Sequence, residues 1–368
     1  MSTLNELHAL GQAVWLDSIS RQLIATGELA QRVVAGLRGL TSNPAIFEKA
    51  IAQTGDYAAA ISRYARQNLD AKAIFEQLAI ADIRDSADIL KPVYDASQGA
   101  DGYVSLEVSP TLANDTEGTL QEARRLWREV QRPNLMIKVP GTSAGVPAIR
   151  QLISDGINVN VTLLFARSAY DRVAEAWLQG MEALSAKGGD VSRVASVASF
   201  FVSRIDSAVD ALIDKVGVAG VEKSADKLRG KAAIANAKLA YQSYRERMAG
   251  ARWQTLAAKG AHPQRLLWAS TSSKNPAYRD VIYVEELIGP DTVNTLPPAT
   301  LDAFLDHGVS RQTLASGVDE ARRDLLALAA LGISLDAVTD RLLEDGIRQF
   351  ADSFSTLLAV IARQAQAA

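Results

Sequence analysis

The sequence predicts an α/β fold, a single (β/α)8 barrel spanning residues 1–368 as one domain. Short β-like runs recur along the chain, each followed by a stretch with helical periodicity. Eight such runs are present, which favours a closed ring of parallel strands over an open sheet. Several of them carry polar residues at alternate positions within apolar segments, so one face of each strand is made for something other than core packing.

In chain order the first four runs are AVWLD at 13–17, RGLTSN at 38–43, YVSLEVS at 103–109 and LMIKVP at 135–140. The remaining four are INVNVTLLF at 157–165, RVASVASF at 193–200, LLWAST at 266–271 and TVNTLP at 292–297. Three helical additions to the barrel are expected. Residues 50–100 are amphipathic, with the clearest period in IFEQLAIADIRDSADIL. Residues 205–262 are helical in character and rich in Ala, Lys and Arg. The tail, 315–368, spaces Leu325, Leu328, Leu342, Ile347, Phe350, Phe354 and Leu358 as a helix does, so it is expected to pack back on the body. There is no low-complexity linker and no repeat longer than the βα unit.

Composition narrows the function. A chain that is 48% hydrophobic and 22% charged, with a net charge of -3, has the make-up of an ordinary soluble protein. It lacks the basic runs that attract nucleic acid or anionic lipid, so a small-molecule partner is expected, with no nucleic acid and no membrane. With no cysteine, disulfides, thiolate metal sites and cysteine nucleophiles are excluded. The scattered His8, His262 and His307 make a histidine metal site improbable, and neither a metal nor another cofactor is expected. The N-terminal MSTLNELHALGQAVWLDS has no basic stretch followed by an apolar run, which makes the cytoplasm the expected location.

Strand parity supplies the candidate site. In 157–165, Asn158, Asn160 and Thr162 share one face while Ile157, Val159, Val161 and Leu163 share the other. The same split sets Ser105, Glu107 and Ser109 against Val104, Leu106 and Val108, and Met136 and Lys138 against Leu135, Ile137 and Val139. Asp17 lies on the face of Trp15, and Asn43 on that of Thr41. In a barrel the apolar face meets the helices, so Lys138, Glu107, Asn160, Asp17 and Asn43 are sent inward, late in their strands. Taken singly, such a lysine is more often a snorkelling edge residue, and an Asn or Asp at a strand end is more often a helix cap. Five strands agreeing in parity is what solvation does not explain. Met136 and Trp15 read as barrel filling. GTSAG at 141–145 reads as a strand-to-helix turn in preference to a phosphate cradle, and no dinucleotide or Walker fingerprint is present.

A lysine in such a place has a specific use. Its amine has a reference pKa of about 10.4, so in neutral water only about one in 2,500 is neutral and nucleophilic. Burial and neighbouring cations disfavour the ammonium, allowing the amine to attack a ketone and form an imine. The protonated imine is an electron sink that stabilises the carbanion left when a neighbouring carbon–carbon bond breaks. Two further groups are needed, a base for a hydroxyl proton and an acid/base for the water lost from the carbinolamine. Asp17 and Glu107 are the candidates.

The segments TSNPAIFEKAI at 41–51, VSLEVSPTLANDTEGTLQEA at 104–123, LMIKVPGTSAGVPAIRQLISDGINVNVTLLF at 135–165 and ASFFVSRID at 198–206 resemble transaldolases in order and spacing, over about residues 10–310. The resemblance implies a single (β/α)8 TIM barrel. It also implies transfer of dihydroxyacetone from sedoheptulose 7-phosphate to glyceraldehyde 3-phosphate, giving erythrose 4-phosphate and fructose 6-phosphate in the pentose phosphate pathway. Carried over by motif, Lys138 is the imine former, Asp17 takes the donor hydroxyl proton and Glu107 serves a catalytic water. Asn43, Asn160, Thr162 and Ser199 line the site, and Arg204 anchors phosphate with its two-pronged guanidinium. A second phosphate contact follows strand seven, where ASTSSKNPAYRD offers Ser270, Lys274 or Arg279, the first two being favoured. Leu40 departs from the small or polar residue of shorter members, which places the chain with the longer bacterial branch. Phosphorylated sugars are the implied partners, for a monomer or a homodimer. Two other readings stay open on the sequence: a class I aldolase that releases free dihydroxyacetone, and a sugar-phosphate binding protein that has lost the chemistry.

Overall fold

Eight parallel strands close into a ring in chain order, as the run spacing predicts. They are β1 (Gln12–Asp17), β2 (Gly39–Thr41), β3 (Tyr103–Glu107), β4 (Leu135–Pro140), β5 (Val159–Leu164), β6 (Ser196–Phe201), β7 (Arg265–Ala269) and β8 (Thr292–Leu296), with β8 pairing back onto β1. The computed structural model describes residues 3–215 and 225–367. Among them, no helix is long and apolar enough to cross a membrane.

Two strands depart from the parity expected of them, each for a local reason. β2 stops at Thr41, and the Asn43 carboxamide turns to cap the helix Pro44–Gln53, its Oδ1 accepting the Ile46 N–H at 3.0 Å. Asn43 is therefore a capping residue and not a strand residue, because a short Asx side chain followed by proline at the first helical position satisfies a helix end better than a ladder. In β5 the pairing with β6 shifts register between Val161 and Leu164, and Leu163 adopts φ 59°. Leu163 was expected on the outer face. It is buried instead against the final helix, where a Cβ on Gly346 would lie 2.9 Å from Leu163 Cδ2. A left-handed leucine costs about 1–2 kcal/mol, so tertiary packing must hold it there. β3 likewise ends before Ser109, which leads into a 3-10 turn at Pro110–Leu112. Pro110 has no N–H with which to continue a ladder.

The helical additions lie where expected. The first comprises Ala58–Ala65 and Ala71–Ala96, the second Ser203–Ile213, Ala232–Met248 and Ala251–Ala257. The stretch 216–224 of the second lies outside the described residues. The tail forms Val318–Ala330 and the 32-residue helix Leu335–Gln366. Leu328, Phe350 and Phe354 are buried, and Leu325, Leu342, Ile347 and Leu358 pack partly buried on the core. The final helix packs on Pro44–Gln53, Ala58–Ala65 and Ala71–Ala96, which follow β2, on Ser203–Ile213, which follows β6, and on Val318–Ala330. Its Phe354 meets Phe75 edge-on at 5.5 Å, and Phe75 meets Phe47 in the same way. The GTSAG segment is a turn, with its amides used internally: Gly141 N–H donates to Thr162 O at 2.8 Å and Gly145 N–H to Thr142 Oγ1 at 2.9 Å.

The opposite end of the barrel is plugged. Trp15, fully buried, donates its indole N–H to Asp101 at 2.8 Å, and Asp101 also pairs with Arg265 at 3.3 Å. Trp15 sits beside Gly39 on the neighbouring strand, where a Cβ would fall 2.6 Å from the indole ring. Met136 is also buried, as barrel filling requires. Gly39→Ala should therefore cost about 1–3 kcal/mol through overpacking, while Gly55→Ala, at a glycine with open space around it, should stay within about 0.5 kcal/mol. Urea unfolding of the two variants against the parent checks this.

Candidate active site

Lys138 stands in the middle of three neighbouring strands. In the β3–β4–β5 register, Glu107, Lys138 and Asn160 lie directly side by side. The lysine side chain is 6% exposed and the glutamate 3%, with Nζ 3.4 Å from Glu107 Oε2. Nζ donates to the Ser42 carbonyl at 3.0 Å and lies 6.0 Å from the centre of the Phe350 ring. Neither oxygen of Glu107 has a hydrogen-bond partner among the described residues, so its link to Lys138 is an ion pair without a well-formed hydrogen bond. Burial drives the Glu107 carboxyl from 4.5 up to about 7, against the opposing pull of the Lys138 charge and with some help from Asp17. A carboxyl in that range gains and loses a proton easily at neutral pH.

Asp17 ends β1 and is half-buried, facing the interior. Its Oδ1 accepts the Thr41 hydroxyl at 2.7 Å, and Thr41 lies 2.7 Å from Thr295 across the ring. Burial raises its carboxyl above the ordinary aspartate value, while Lys138 and the Thr41 bond oppose the rise. Around the lysine, Ser199 Oγ donates to Asn160 Oδ1 at 2.7 Å and Asn160 Nδ2 donates to Ser105 Oγ at 3.0 Å. This chain fixes the amide through β3, β5 and β6. Thr162 Oγ1 is buried with no protein partner among the described residues, a hydroxyl left for a ligand to satisfy.

These groups surround a cavity of about 180 Å³. Of the residues expected at the site, Asp17, Asn43, Lys138, Thr162, Ser199, Arg204, Ser270 and Lys274 line it. Asn160 supports it from below through the Ser199 bond. Glu107 borders an adjoining chamber of about 20 Å³, shared with Ser42, Asn43 and Phe354, which is room for a single water.

The other part of the cavity is cationic. Arg204, second residue of the helix Ser203–Ile213, donates to Gln349 Oε1 at 3.0 Å and lies over the Phe201 ring at 5.5 Å. Burial lowers its pKa. Lys274 is lowered by burial first and then by the charge of Arg204. Neither cation has a carboxylate ion pair among the described residues, and two mutually repelling cations in one cavity are a setting that an anion relieves. Hydroxyls flank them, Ser203 and Ser270 lying 3.0 Å apart, and Ser270 is held at φ 55°. Arg279, the third candidate after strand seven, is turned away onto Glu285 and the His307 carbonyl. Among the described residues, no group of three or more His, Asp or Glu side chains is placed to hold a metal ion.

Sequence reasoning missed Gln349 and Phe350 as site residues. Phe350 was legible only as one of several apolar tail positions, and Gln349 has no pattern of its own. Phe201, which shares the β6 parity of Ser199, was open to the same argument and was not drawn in.

The charge balance can be read directly. The carboxyl carbon of Glu107, followed by NMR, should titrate near 7, and in Lys138→Met the midpoint should rise further, because loss of the cation removes the main force opposing burial.

A family model described as Transaldolase/Fructose-6-phosphate aldolase matches residues 14–361, reaching through the tail beyond the 10–310 of the motif resemblance. The chain is 49% identical over 362 residues to "Transaldolase" of Trichodesmium erythraeum (strain IMS101), covering 96% of this chain and 95% of the relative. It is 51% identical over 363 residues to "Transaldolase 2" of Nostoc sp. (strain PCC 7120 / SAG 25.82 / UTEX 2576), with the same coverage. It is 49% identical over 362 residues to "Transaldolase" of Thiobacillus denitrificans (strain ATCC 25259 / T1), covering 98% of this chain and all of the relative.

Proposed function

The chain belongs to the transaldolase/fructose-6-phosphate aldolase family, and on that premise we propose that it is a transaldolase whose imine forms on Lys138. The observation that carries the proposal is the shared cavity of Lys138, Asp17, Arg204 and Lys274, with Glu107 at 3.4 Å from the amine. The donor is sedoheptulose 7-phosphate or fructose 6-phosphate, its phosphate at Arg204 and Lys274 with Ser270, and its ketone carbon at Lys138 Nζ.

Attack of the amine on the ketone gives a carbinolamine. Glu107, poised near 7, protonates the departing hydroxyl, which leaves as water held in the adjoining chamber, and the iminium forms. Asp17 then takes the hydroxyl proton at the carbon beyond the bond to be broken. The deprotonated alcohol oxygen becomes the carbonyl oxygen of the departing aldehyde, the ketone oxygen having already left as water, and the electron pair of the broken bond becomes the enamine on Lys138. Asn160, Thr162 and Ser199 hold substrate hydroxyls or the lysine. Addition of glyceraldehyde 3-phosphate reverses these steps, with Asp17 returning its proton to the new alkoxide.

A cytoplasmic monomer or homodimer acting in the pentose phosphate pathway goes with this reading, as does a single-domain organisation. A cysteine-free chain supports the location, and a main apolar core whose members run from Leu4 to Ile361, beside one small cluster of Ala235, Leu239 and Ala321, supports the single domain.

Incubation with fructose 6-phosphate and borohydride should add a reduced dihydroxyacetone unit to the peptide that contains Lys138. Lys138→Ala should lose both the adduct and turnover. An adduct on another lysine, or near-normal turnover in that variant, would refute the assignment. Arg204→Ala should raise KM for phosphorylated donors roughly 10- to 100-fold, the loss expected for a charge-assisted pair of hydrogen bonds. An unchanged KM would remove the arginine from the phosphate site.

A further inference from the structure

The final helix sets a stripe of three residues, one turn apart, across the open end of the barrel. Gly346 meets Leu163 and Phe165 at the end of β5, Phe350 faces Lys138 on β4, and Phe354 borders the chamber behind Glu107 on β3. Such i, i+4, i+8 spacing keeps one helix face over the mouth. Only the middle residue touches the substrate cavity. Phe350 is 6% exposed, and its ring centre is 6.0 Å from the lysine amine. Its neighbour Gln349 accepts from Arg204, which pins this turn of the helix to the cationic part of the site.

We propose that Phe350 is a specificity-determining residue that keeps water from the enamine on Lys138 and so fixes the balance between transfer and release of free dihydroxyacetone. The inference rests on the Schiff-base reading. After the aldehyde product leaves, the enamine has two fates. It can add to an acceptor aldehyde, or its carbon can take back the proton held by Asp17. In the second case one water adds to the iminium carbon, its oxygen becomes the ketone oxygen, and dihydroxyacetone leaves with the lysine free. The second fate consumes one water and no acceptor. Asp17, Thr162 and Ser199 line the cavity and are able to bind water, and Phe201, Ala269 and Pro297 add to its apolar wall, whereas the Phe350 ring, centred 6.0 Å from the amine, covers the lysine from the helix side and offers water no hydrogen bond. A ring that only packed the tail would, on removal, lower both fluxes together. A water barrier, on removal, changes their ratio.

The test uses the full chain, as the parent, Phe350→Ala, Phe350→Leu and Phe350→Val. Dihydroxyacetone released from fructose 6-phosphate without acceptor is compared with transfer to erythrose 4-phosphate, and borohydride labelling of Lys138 is measured on the same samples. Phe350→Ala should raise the ratio of release to transfer by about tenfold, a change of about 1.4 kcal/mol between the two barriers. Phe350→Leu should stay near the parent ratio. Phe350→Val should fall between them, and it carries the test if the alanine variant does not fold. Parent-like ratios in the alanine and valine variants that still label at Lys138 would overturn the inference. Absence of the label from the parent would instead sink the Schiff-base reading, and this inference with it.

Discussion

The ion pair of Lys138 with Glu107 is the constraint to which the open end of this barrel answers. Two opposite charges more than nine-tenths buried are costly unless their geometry is fixed and their other neighbours are polar or deliberately dry. The β3–β4 register fixes the geometry, because the two residues face each other on adjacent strands. The polar neighbours are the Ser42 carbonyl and the Ser105–Asn160–Ser199 chain. The dry neighbours come from the final helix. Without that helix both charges would face water, and the carboxyl would lose the desolvation that holds it near 7.

The early end of β2 follows from the same requirement. Had the strand continued through Ser42 and Asn43, the Ser42 carbonyl would belong to a ladder. Instead the chain turns into the helix at Pro44, Asn43 caps it, and the freed carbonyl accepts from the lysine amine. The left-handed Leu163 is a comparable case on the other side of Lys138. The bulge takes its side chain out of the strand alternation and into the final helix, leaving Thr162 facing the cavity. Both irregularities sit within two residues of a polar group at the cavity, and the one at Leu163, with φ 59°, also stores backbone strain there.

These features explain what could be read from the sequence. The ring of eight strands was legible because each run is bounded by helical periodicity, and the inward placement of Asp17, Glu107, Lys138, Asn160 and Thr162 was legible because strand parity is a strict period of two, whereas Ser199 came only from the motif resemblance. Parity failed where the chain left the strand, at Asn43, and where a bulge intervened, at Leu163, since neither residue type announces the change. Arg204 and Lys274 lie on a helix start and a loop, outside any parity argument, so only motif resemblance pointed to them. Gln349 and Phe350 were hidden for a different reason. Helical spacing says that one face of the tail is buried, but not on which surface it docks, more than 200 residues away in sequence from the lysine it covers.

The tail helix thus ties the two ends of the substrate cavity to one rigid element. Gln349 holds Arg204 in the cationic part of the cavity, and Phe350 faces the Lys138 amine, so both are set by the docking of a single helical turn. The helix is anchored chiefly by apolar contacts outside the lysine cavity, Phe354 on Phe75 and the buried Leu357 and Ile361. Movement of a helix that is 32 residues long and packed on five others costs far more than movement of a loop. The cationic wall of the cavity is instead built partly from the loop that follows β7, which carries Ser270, Ser272 and Lys274. On the Schiff-base proposal, a covered amine beside a cationic wall suits an intermediate that must outlive one product and wait for the next substrate.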